Sequence, residues 1–203
     1  HIHLPVQSGS NAVLKRMNRH YTVGHYLEKV ERLKRACPDI ALTSDIIVGF
    51  PGETASDFNA TLDLMRRVEF DGLFAFIYSD RPNAPAARFG GKVDEEVKKD
   101  RLQQILNCQE EISRRRNKAL VGTVQKVLVD GVSRSNSGAE RRSEDPGDIK
   151  YIQWAGRTQS NRIVHFNSDN GEDRQRQVLT GRMMDIMIEK ALPHCLWGQP
   201  LSP

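Results

Sequence analysis

The chain has 203 residues, of which 38% are hydrophobic, and its formal net charge at pH 7 is +4. This length allows one large or two small domains with a real core. The mild basic excess permits RNA binding without requiring it. No apolar run approaches the length that crosses a membrane, which argues against a membrane partner.

The three cysteines, Cys37, Cys108 and Cys195, lie far apart in the sequence. No pair has the spacing of metal ligands, so each is interpreted as a free thiol. An odd number of cysteines without a secretory segment favours the reducing cytoplasm. The chain begins at His1 inside a strand-like run and without an initiator methionine, which predicts a fragment of a longer protein.

The first predicted strand covers residues 3–6 and is followed by a polar turn and a helix. Ser10 or Asn11 can cap that helix, because either side chain offers an oxygen to free amide groups. Gln7 and Ser8 then lie at the carboxyl end of the strand, as site residues or as ordinary turn residues.

Thr22 is predicted to open the second helix, which ends before Pro38 because a residue that precedes proline avoids helical dihedrals. One face of this helix carries apolar residues at helical spacing, namely Tyr26, Val30, Leu33 and Cys37. Its basic residues are interpreted as a solvated face rather than a nucleic-acid surface.

Residues 44–54 read Ser-Asp-Ile-Ile-Val-Gly-Phe-Pro-Gly-Glu-Thr, and they predict a strand, a tight turn and a helix start. Gly49 and Gly52 let the backbone bend sharply and let a ligand approach the peptide groups. Ligands collect at the carboxyl ends of parallel strands, so this turn is a candidate site. A plain connection, with the glycines serving geometry alone, explains the pattern equally well.

Residues 73–78 form a continuous apolar run, which predicts a parallel strand covered on both sides. The order strand, helix, strand, helix, strand predicts a parallel sheet with right-handed crossovers. Asp94 is predicted to start a long helix whose basic end at residues 114–118 is favoured by the helix dipole, with RNA contact as the alternative. The expected buried residues of this helix are Val97, Leu102, Ile105, Leu106 and Ile112.

The hydrophobic period changes after Val121, where strands are predicted at residues 121–129, 157–166 and 183–189. In the last strand Met184, Ile186 and Ile188 share a face. The sequence therefore predicts two domains, residues 1–118 and residues 119–203, the second a small β-barrel. Residues 133–148, rich in Ser, Gly, Arg and Glu, are predicted to form a mobile loop.

Four segments in order resemble the MiaB-type tRNA methylthiotransferases of the radical S-adenosylmethionine superfamily. These segments are His3-Leu4-Pro5-Val6-Gln7-Ser8-Gly9-Ser10 with Met17-Asn18-Arg19, residues 44–54, Phe74-Ala75-Phe76-Ile77-Tyr78-Ser79-x-Arg81-Pro82, and Gly156-Arg157-Thr158-Gln159-Ser160-Asn161-Arg162. The last one resembles the TRAM domain of that family. The resemblance implies an α/β fold, with the last three β/α units of a partial (β/α) barrel followed by an OB-like TRAM barrel.

The resemblance also implies a chemistry. The family binds S-adenosylmethionine and 4Fe-4S clusters, and it transfers a methylthio group to C2 of a modified adenosine beside the tRNA anticodon. Its C-x-x-x-C-x-x-C motif is absent here, so the cluster ligands are expected outside this chain and the fragment alone is expected to be inactive. The implied partners are tRNA, S-adenosylmethionine and an electron donor. The alternatives are a methylthiotransferase for another tRNA adenosine or a ribosomal protein, and a non-catalytic RNA-binding module.

The resemblance implies two sets of binding residues and no catalytic residue or metal ligand. The cofactor set is Gln7, Ser8, Arg19, Asp45, Gly49, Phe50, Pro51, Glu53 and Tyr78. Within it, the planar fork of Arg19 suits the cofactor carboxylate, with a solvated helix-end cation as the alternative.

Two members of the cofactor set depart from the superfamily pattern, which has Gly where Asp45 stands and an acidic residue one place off from Glu53. The RNA set is Arg157, Asn161, Arg162 and His165. Strand alternation would point Arg162 away from the other three unless a turn intervenes, so Arg157 and Asn161 are the primary candidates.

Overall fold

The structure is a computed structural model that describes residues 1–133, 151–169 and 179–201. The chain divides into two compact units, residues 1–113 and residues 114–203. The boundary predicted from the sequence falls five residues after Ser113, at the end of the same long helix. Except for Ser133, the predicted mobile loop at residues 133–148 lies outside the described residues.

The first unit contains a sheet of three parallel strands in the order β1-β2-β3, which confirms the predicted parallel sheet. The strands are β1 (Ile2–His3), β2 (Leu42–Val48) and β3 (Gly72–Ile77). β1 is shorter than predicted, because Pro5 has no amide hydrogen to donate to the ladder. Pairing resumes beyond it, since Gln7 bridges Ile46 in parallel.

Four helices connect and cover these strands: α1 (Asn11–Arg16), α2 (Val23–Ala36), α3 (Ala55–Val68) and α4 (Glu95–Lys118), with a 3₁₀ turn at Pro85–Arg88. α1, α2 and α3 begin as their sequences predict, with the side chains of Ser10, Thr22 and Thr54 as N-caps. Thr54 and Asp57 form a reciprocal capping box, which satisfies two free amide groups at the start of α3.

The core of the first unit lies between one face of the sheet and the helices. Ile46, Met65 and Ile105 are fully buried there. The opposite face of β3 is open within the described residues, because Phe74 and Phe76 are 60% and 53% exposed. The prediction that β3 is covered on both sides is therefore wrong for this chain.

The inward stripe of α4 also differs from its prediction. Ile105 and Ile112 are buried as expected, but Val97 and Leu106 are exposed. At the start of the helix the inward positions are taken instead by two cations, Lys98 and Arg101, which are 6% and 8% exposed. Positions 98, 101, 105, 108 and 112 follow helical spacing. Two cations therefore take the place of the expected apolar residues at the start of this stripe.

The second unit is a closed five-stranded barrel in the order β4-β5-β6-β8-β7. Its strands are β4 (Val124–Val132), β5 (Tyr151–Thr158), β6 (Ile163–Asp169), β7 (Met183–Ala191) and β8 (Leu196–Pro200). The buried side chains of Trp154, Phe166, Ile186, Ile188 and Leu196 fill it. The predicted small β-barrel is confirmed, as is the shared inward face of Ile186 and Ile188.

One predicted strand of the barrel, residues 157–166, is wrong. β5 ends at Thr158 and β6 begins at Ile163, and the two strands pair antiparallel as a hairpin. Asn161 takes a left-handed φ of 63° in the connecting turn. Thr158 closes the turn, since its carbonyl accepts from the Asn161 amide and its Oγ1 from the Arg162 amide, at 2.9 and 3.1 Å.

Candidate functional site

The carboxyl ends of the three parallel strands bring most of the predicted cofactor residues to one edge of the sheet. Gln7 bridges Ile46 near the end of β2, and Gly49 directly follows that strand. The Tyr78 amide donates to the Val48 carbonyl at 2.9 Å. The rings of Phe50 and Tyr78 meet edge to face, with centroids 4.9 Å apart.

The turn after β2 depends on its two glycines, since Gly49 and Gly52 have φ values of 74° and 83°. A Cβ on Gly49 would lie 2.3 Å from Cγ of Lys98, so the stem of that lysine fills the inner side of the turn. The Gly49 amide donates to Oε2 of Glu53 at 2.6 Å. Protein groups therefore occupy both the amide and the inner surface of Gly49.

Glu53 and Arg101 form a buried ion pair beneath this turn. Their side chains are 1% and 9% exposed, and Nη1 of Arg101 lies 2.7 Å from Oε2 of Glu53. The same nitrogen also donates to the Glu53 backbone carbonyl at 3.2 Å. Burial raises the pKa of Glu53 above its ordinary value, against the opposing effects of the Gly49 amide and the Arg101 guanidinium. Glu53 thus acts inside the protein as the support of the turn.

Ser8 is likewise internal, because it is fully buried. Its Oγ accepts from the Ser10 amide at 3.2 Å and lies 3.5 Å from Oγ1 of Thr61. Ser10 in turn donates to Oδ1 of Asp57 at 2.5 Å, which links the start of α1 to the start of α3. Although burial raises the pKa of Asp57, the hydrogen bonds from Ser10 and Thr54 outweigh it and hold that pKa below the ordinary value.

Three predicted cofactor residues keep accessible side chains, namely Arg19, Asp45 and Tyr78. Asp45 projects from β2 onto the open face of the sheet, where its Oδ1 lies 3.4 Å from Nε2 of His3. The His3 ring also meets the edge of Phe74, with centroids 6.1 Å apart. Gln7, Gly49, Phe50 and Pro51 are buried.

The cysteines offer no cluster site. Cys37 is exposed, Cys108 is buried in the core of the first unit and Cys195 is half-buried in the second unit. Among the described residues no group of three or more His, Cys, Asp or Glu side chains could hold a metal ion. The described residues therefore do not fit an iron-sulfur cluster.

On the barrel, the structure brings together Arg157 and Asn161. Nη1 of Arg157 donates to Oδ1 of Asn161 at 3.2 Å, and its Nε lies 3.2 Å from Oδ2 of Asp130. Arg162 instead donates to Oδ1 of Asn117 at the end of α4. The turn at Asn161 thus directs the two arginines to different neighbours.

His165 lies on the outer face of β6, in register with Trp197 of β8. Its Nδ1 is 3.3 Å from Oγ of Ser133, and burial lowers the pKa of His165 below the ordinary value. A lowered pKa keeps this imidazole neutral at pH 7, so it offers hydrogen bonding rather than charge. Trp197 was missed by the sequence analysis, although a half-buried aromatic on a barrel strand is a common base-stacking residue.

Lys98 and Arg101 were also missed. Their spacing of three residues, followed by Ile105, places both cations on the inward stripe of α4. A basic residue at an apolar position of a helix face indicates a buried partner, but the sequence does not say which carboxylate it is.

Comparison with known proteins finds a family match in the first unit. Residues 1–65 match the Radical SAM superfamily. This match covers β1, β2 and most of α3, and it includes the turn at Gly49.

Three proteins that are similar to this chain share one name. The tRNA-2-methylthio-N(6)-dimethylallyladenosine synthase of Desulfosudis oleivorans is 48% identical over 198 residues, which cover 98% of this chain and 41% of the relative. Those of Natranaerobius thermophilus and Hahella chejuensis are 42% and 44% identical, again over 98% of this chain and 40% of each relative. The predicted resemblance to MiaB-type methylthiotransferases is confirmed.

The chain spans about two fifths of the length of these curated relatives. Within its described residues, no helix combines the length and the apolar character needed to cross a membrane.

Proposed function

We propose that this chain is part of a tRNA 2-methylthio-N6-dimethylallyladenosine synthase. The observation that carries the proposal is the similarity to enzymes of that name along 98% of the chain. The complete enzyme would transfer a methylthio group to C2 of a modified adenosine next to the tRNA anticodon. Since tRNA modification takes place where tRNA matures, the proposed location is the cytoplasm.

In this proposal the carboxyl edge of the sheet binds S-adenosylmethionine. The accessible groups suit that ligand, because the Asp45 carboxylate can accept from its ammonium and the Arg19 guanidinium can hold its carboxylate. Tyr78 and the open aromatic face of β3 offer apolar surface to the adenine. Gln7, Gly49, Phe50 and Pro51 would shape the edge, and Ser8 and Glu53 would support it from inside.

S-adenosylmethionine, when bound, would supply the methyl group and the radical chemistry. The 4Fe-4S clusters would be held by residues outside this chain, and an electron donor would reduce them. The part of this chain is to orient the cofactor and to exclude water from its reacting end. The rigid ion pair beneath Gly49 supports this role, since it fixes the turn without using any exposed group.

The barrel is proposed to be a TRAM domain that contacts tRNA through Arg157 and Asn161, with Arg162 and His165 as further contacts. Support comes from the side-by-side placement of Arg157 and Asn161 on the exposed end of a hairpin. Removing one true phosphate contact should lower the salt slope of tRNA binding by about one unit. Measuring tRNA affinity against salt concentration for Arg157→Ala and Arg162→Ala tests this directly. Unchanged slopes in both variants would show that the RNA-binding surface lies elsewhere.

The enzymatic proposal is tested with the complete reading frame that contains this sequence. It is expressed in bacteria that lack their own methylthiotransferase, and the tRNA nucleosides are analysed by mass spectrometry. Appearance of 2-methylthio-N6-dimethylallyladenosine is the expected result, while a frame that starts at His1 serves as the inactive control. A methylthio group on another adenosine or on a ribosomal protein would replace the proposed substrate, and no methylthio product would overturn the activity.

A further inference from the structure

A cavity of about 490 Å³, with a largely apolar wall and two cations at it, lies beside the turn after β2. Its lining consists of Lys15, Arg16, Asn18, Pro85 and Phe89. Two of these residues are cations and none is acidic. Both Lys15 and Arg16 are exposed, so the cavity presents positive charge to solvent without a carboxylate in its wall.

Arg16 is held in place at this cavity. Its guanidinium carbon lies 5.6 Å from the centre of the Phe89 ring, and its Nη2 donates to the Gly90 carbonyl at 3.3 Å. Stacking on an aromatic face and one fixed hydrogen bond orient the planar fork, which leaves further N–H donors for a ligand. Lys15, in the same turn of α1, adds a second, exposed cation.

Two backbone segments meet beside the guanidinium of Arg16. The Gly52 amide donates to the Gly91 carbonyl at 2.7 Å, which ties the loop after the 3₁₀ turn to the turn after β2. A Cβ on Gly52 would lie 2.8 Å from the guanidinium carbon of Arg16. Glycine at position 52, which its left-handed φ of 83° already favours, therefore also leaves room for the guanidinium of Arg16.

We infer that this cavity binds a phosphate of the RNA substrate, as a contact in the first unit separate from the barrel residues. The inference rests on the proposed function, because it assumes an RNA that reaches the carboxyl edge of the sheet. A planar guanidinium on a fixed support matches the geometry of a phosphodiester, and a lysine nearby adds charge without geometric demand. Such contacts set the position of the RNA and do not read its sequence.

The test measures binding of the 203-residue chain to a synthetic RNA hairpin with a tRNA-type anticodon loop, as a function of salt concentration. Lys15→Ala and Arg16→Ala are each expected to weaken binding and to lower the salt slope by about one unit, since each loses one phosphate contact. Arg16→Lys, which keeps the charge, should restore most of the slope. Lys29→Ala removes an exposed cation of α2 and is the matched control, with an expected slope equal to that of the wild type.

The outcomes separate the inference from the function on which it rests. If the wild type binds the hairpin and both cavity variants keep its slope, the cavity is not a phosphate site, while the proposed function stands. A loss of S-adenosylmethionine affinity with unchanged RNA binding would assign the cavity to the cofactor and overturn the inference. If the wild-type chain does not bind RNA, the inference falls together with the RNA-binding part of the proposed function. Lys15→Ala decides the matter if Arg16→Ala fails to fold, because the Lys15 side chain is exposed.

Discussion

Replacing Arg101 by Met removes the cation that faces the buried carboxylate of Glu53. The two side chains are 9% and 1% exposed, and their closest atoms are 2.7 Å apart. In the variant, Oε2 of Glu53 keeps only the Gly49 amide among its described donors. Removing one partner of a buried ion pair costs about 3–5 kcal/mol, because the remaining charge stays desolvated and unpaired. We expect a loss of that size in the free energy of unfolding at pH 7.

The pH dependence gives this prediction a definite sign. Without Arg101 the pKa of Glu53 rises further, since burial is no longer opposed by the cation. When the pKa of a carboxyl group is higher in the folded than in the unfolded protein, the folded protein keeps its full stability below the unfolded pKa, here 4.5. That stability is lost as the pH rises through the folded pKa. The difference between Arg101→Met and the wild type should therefore be small near pH 4.5 and large at pH 7.

The two units can be followed separately in the same urea titration. Most helical residues belong to the first unit, so the helical circular dichroism reports on it. Both tryptophans, Trp154 and Trp197, lie in the barrel, so their fluorescence reports on the second unit. Arg101→Met should shift the helical transition and leave the tryptophan transition in place.

Two control variants complete the experiment. Arg66→Met removes an exposed cation that pairs with Asp63 on α3, and it should change stability by less than about 0.5 kcal/mol. The double variant Glu53→Gln with Arg101→Met removes both charges and keeps an acceptor for the Gly49 amide, so it should recover much of the loss. A loss under about 1 kcal/mol in Arg101→Met, or one that does not change with pH, would refute this account of the pair.

Three further predictions concern single positions. Gly156→Ala places a Cβ 2.5 Å from the Leu128 carbonyl oxygen, so the stability measured by tryptophan fluorescence should fall by about 1–3 kcal/mol. Gly24→Ala on α2 meets only the Thr22 side chain, at 3.6 Å, and should instead stabilise the first unit by about 0.5–1 kcal/mol. An unchanged barrel stability in Gly156→Ala would contradict the close strand approach. Asp57→Asn weakens the cap of α3 and should cost about 0.5–1 kcal/mol in the helical transition at pH 7. Since the pKa of Asp57 is lowered, that cost should disappear as the pH falls through the folded pKa, below 3.8, and a cost that persists there would speak against the carboxylate as its source.

The sequence by itself determined the local elements of this protein. Ser10, Thr22 and Thr54 mark helix starts because a side-chain oxygen caps free amides within the next three residues. The alternation of strands and helices determined the parallel sheet, and Gly49 marked the turn at its carboxyl edge. The caps and the turn depend on contacts within a few residues along the chain. The sheet joins distant segments, but its parallel direction follows from the order of the elements, which the sequence also carries.

Only the tertiary structure decided which faces are covered and which charges meet. The apolar run of β3 is the same whether one or two layers pack on it, so its open face could not be read from the residues. Glu53 and Arg101 are separated by 48 positions, and neither local sequence indicates that the two side chains form an ion pair. Arg162 likewise donates to Asn117 because a turn separates β5 from β6, and the alternation of residues along the sequence does not show that turn. Burial and ion pairing are properties of distant segments brought together, and for that reason they follow from the fold and not from the local sequence.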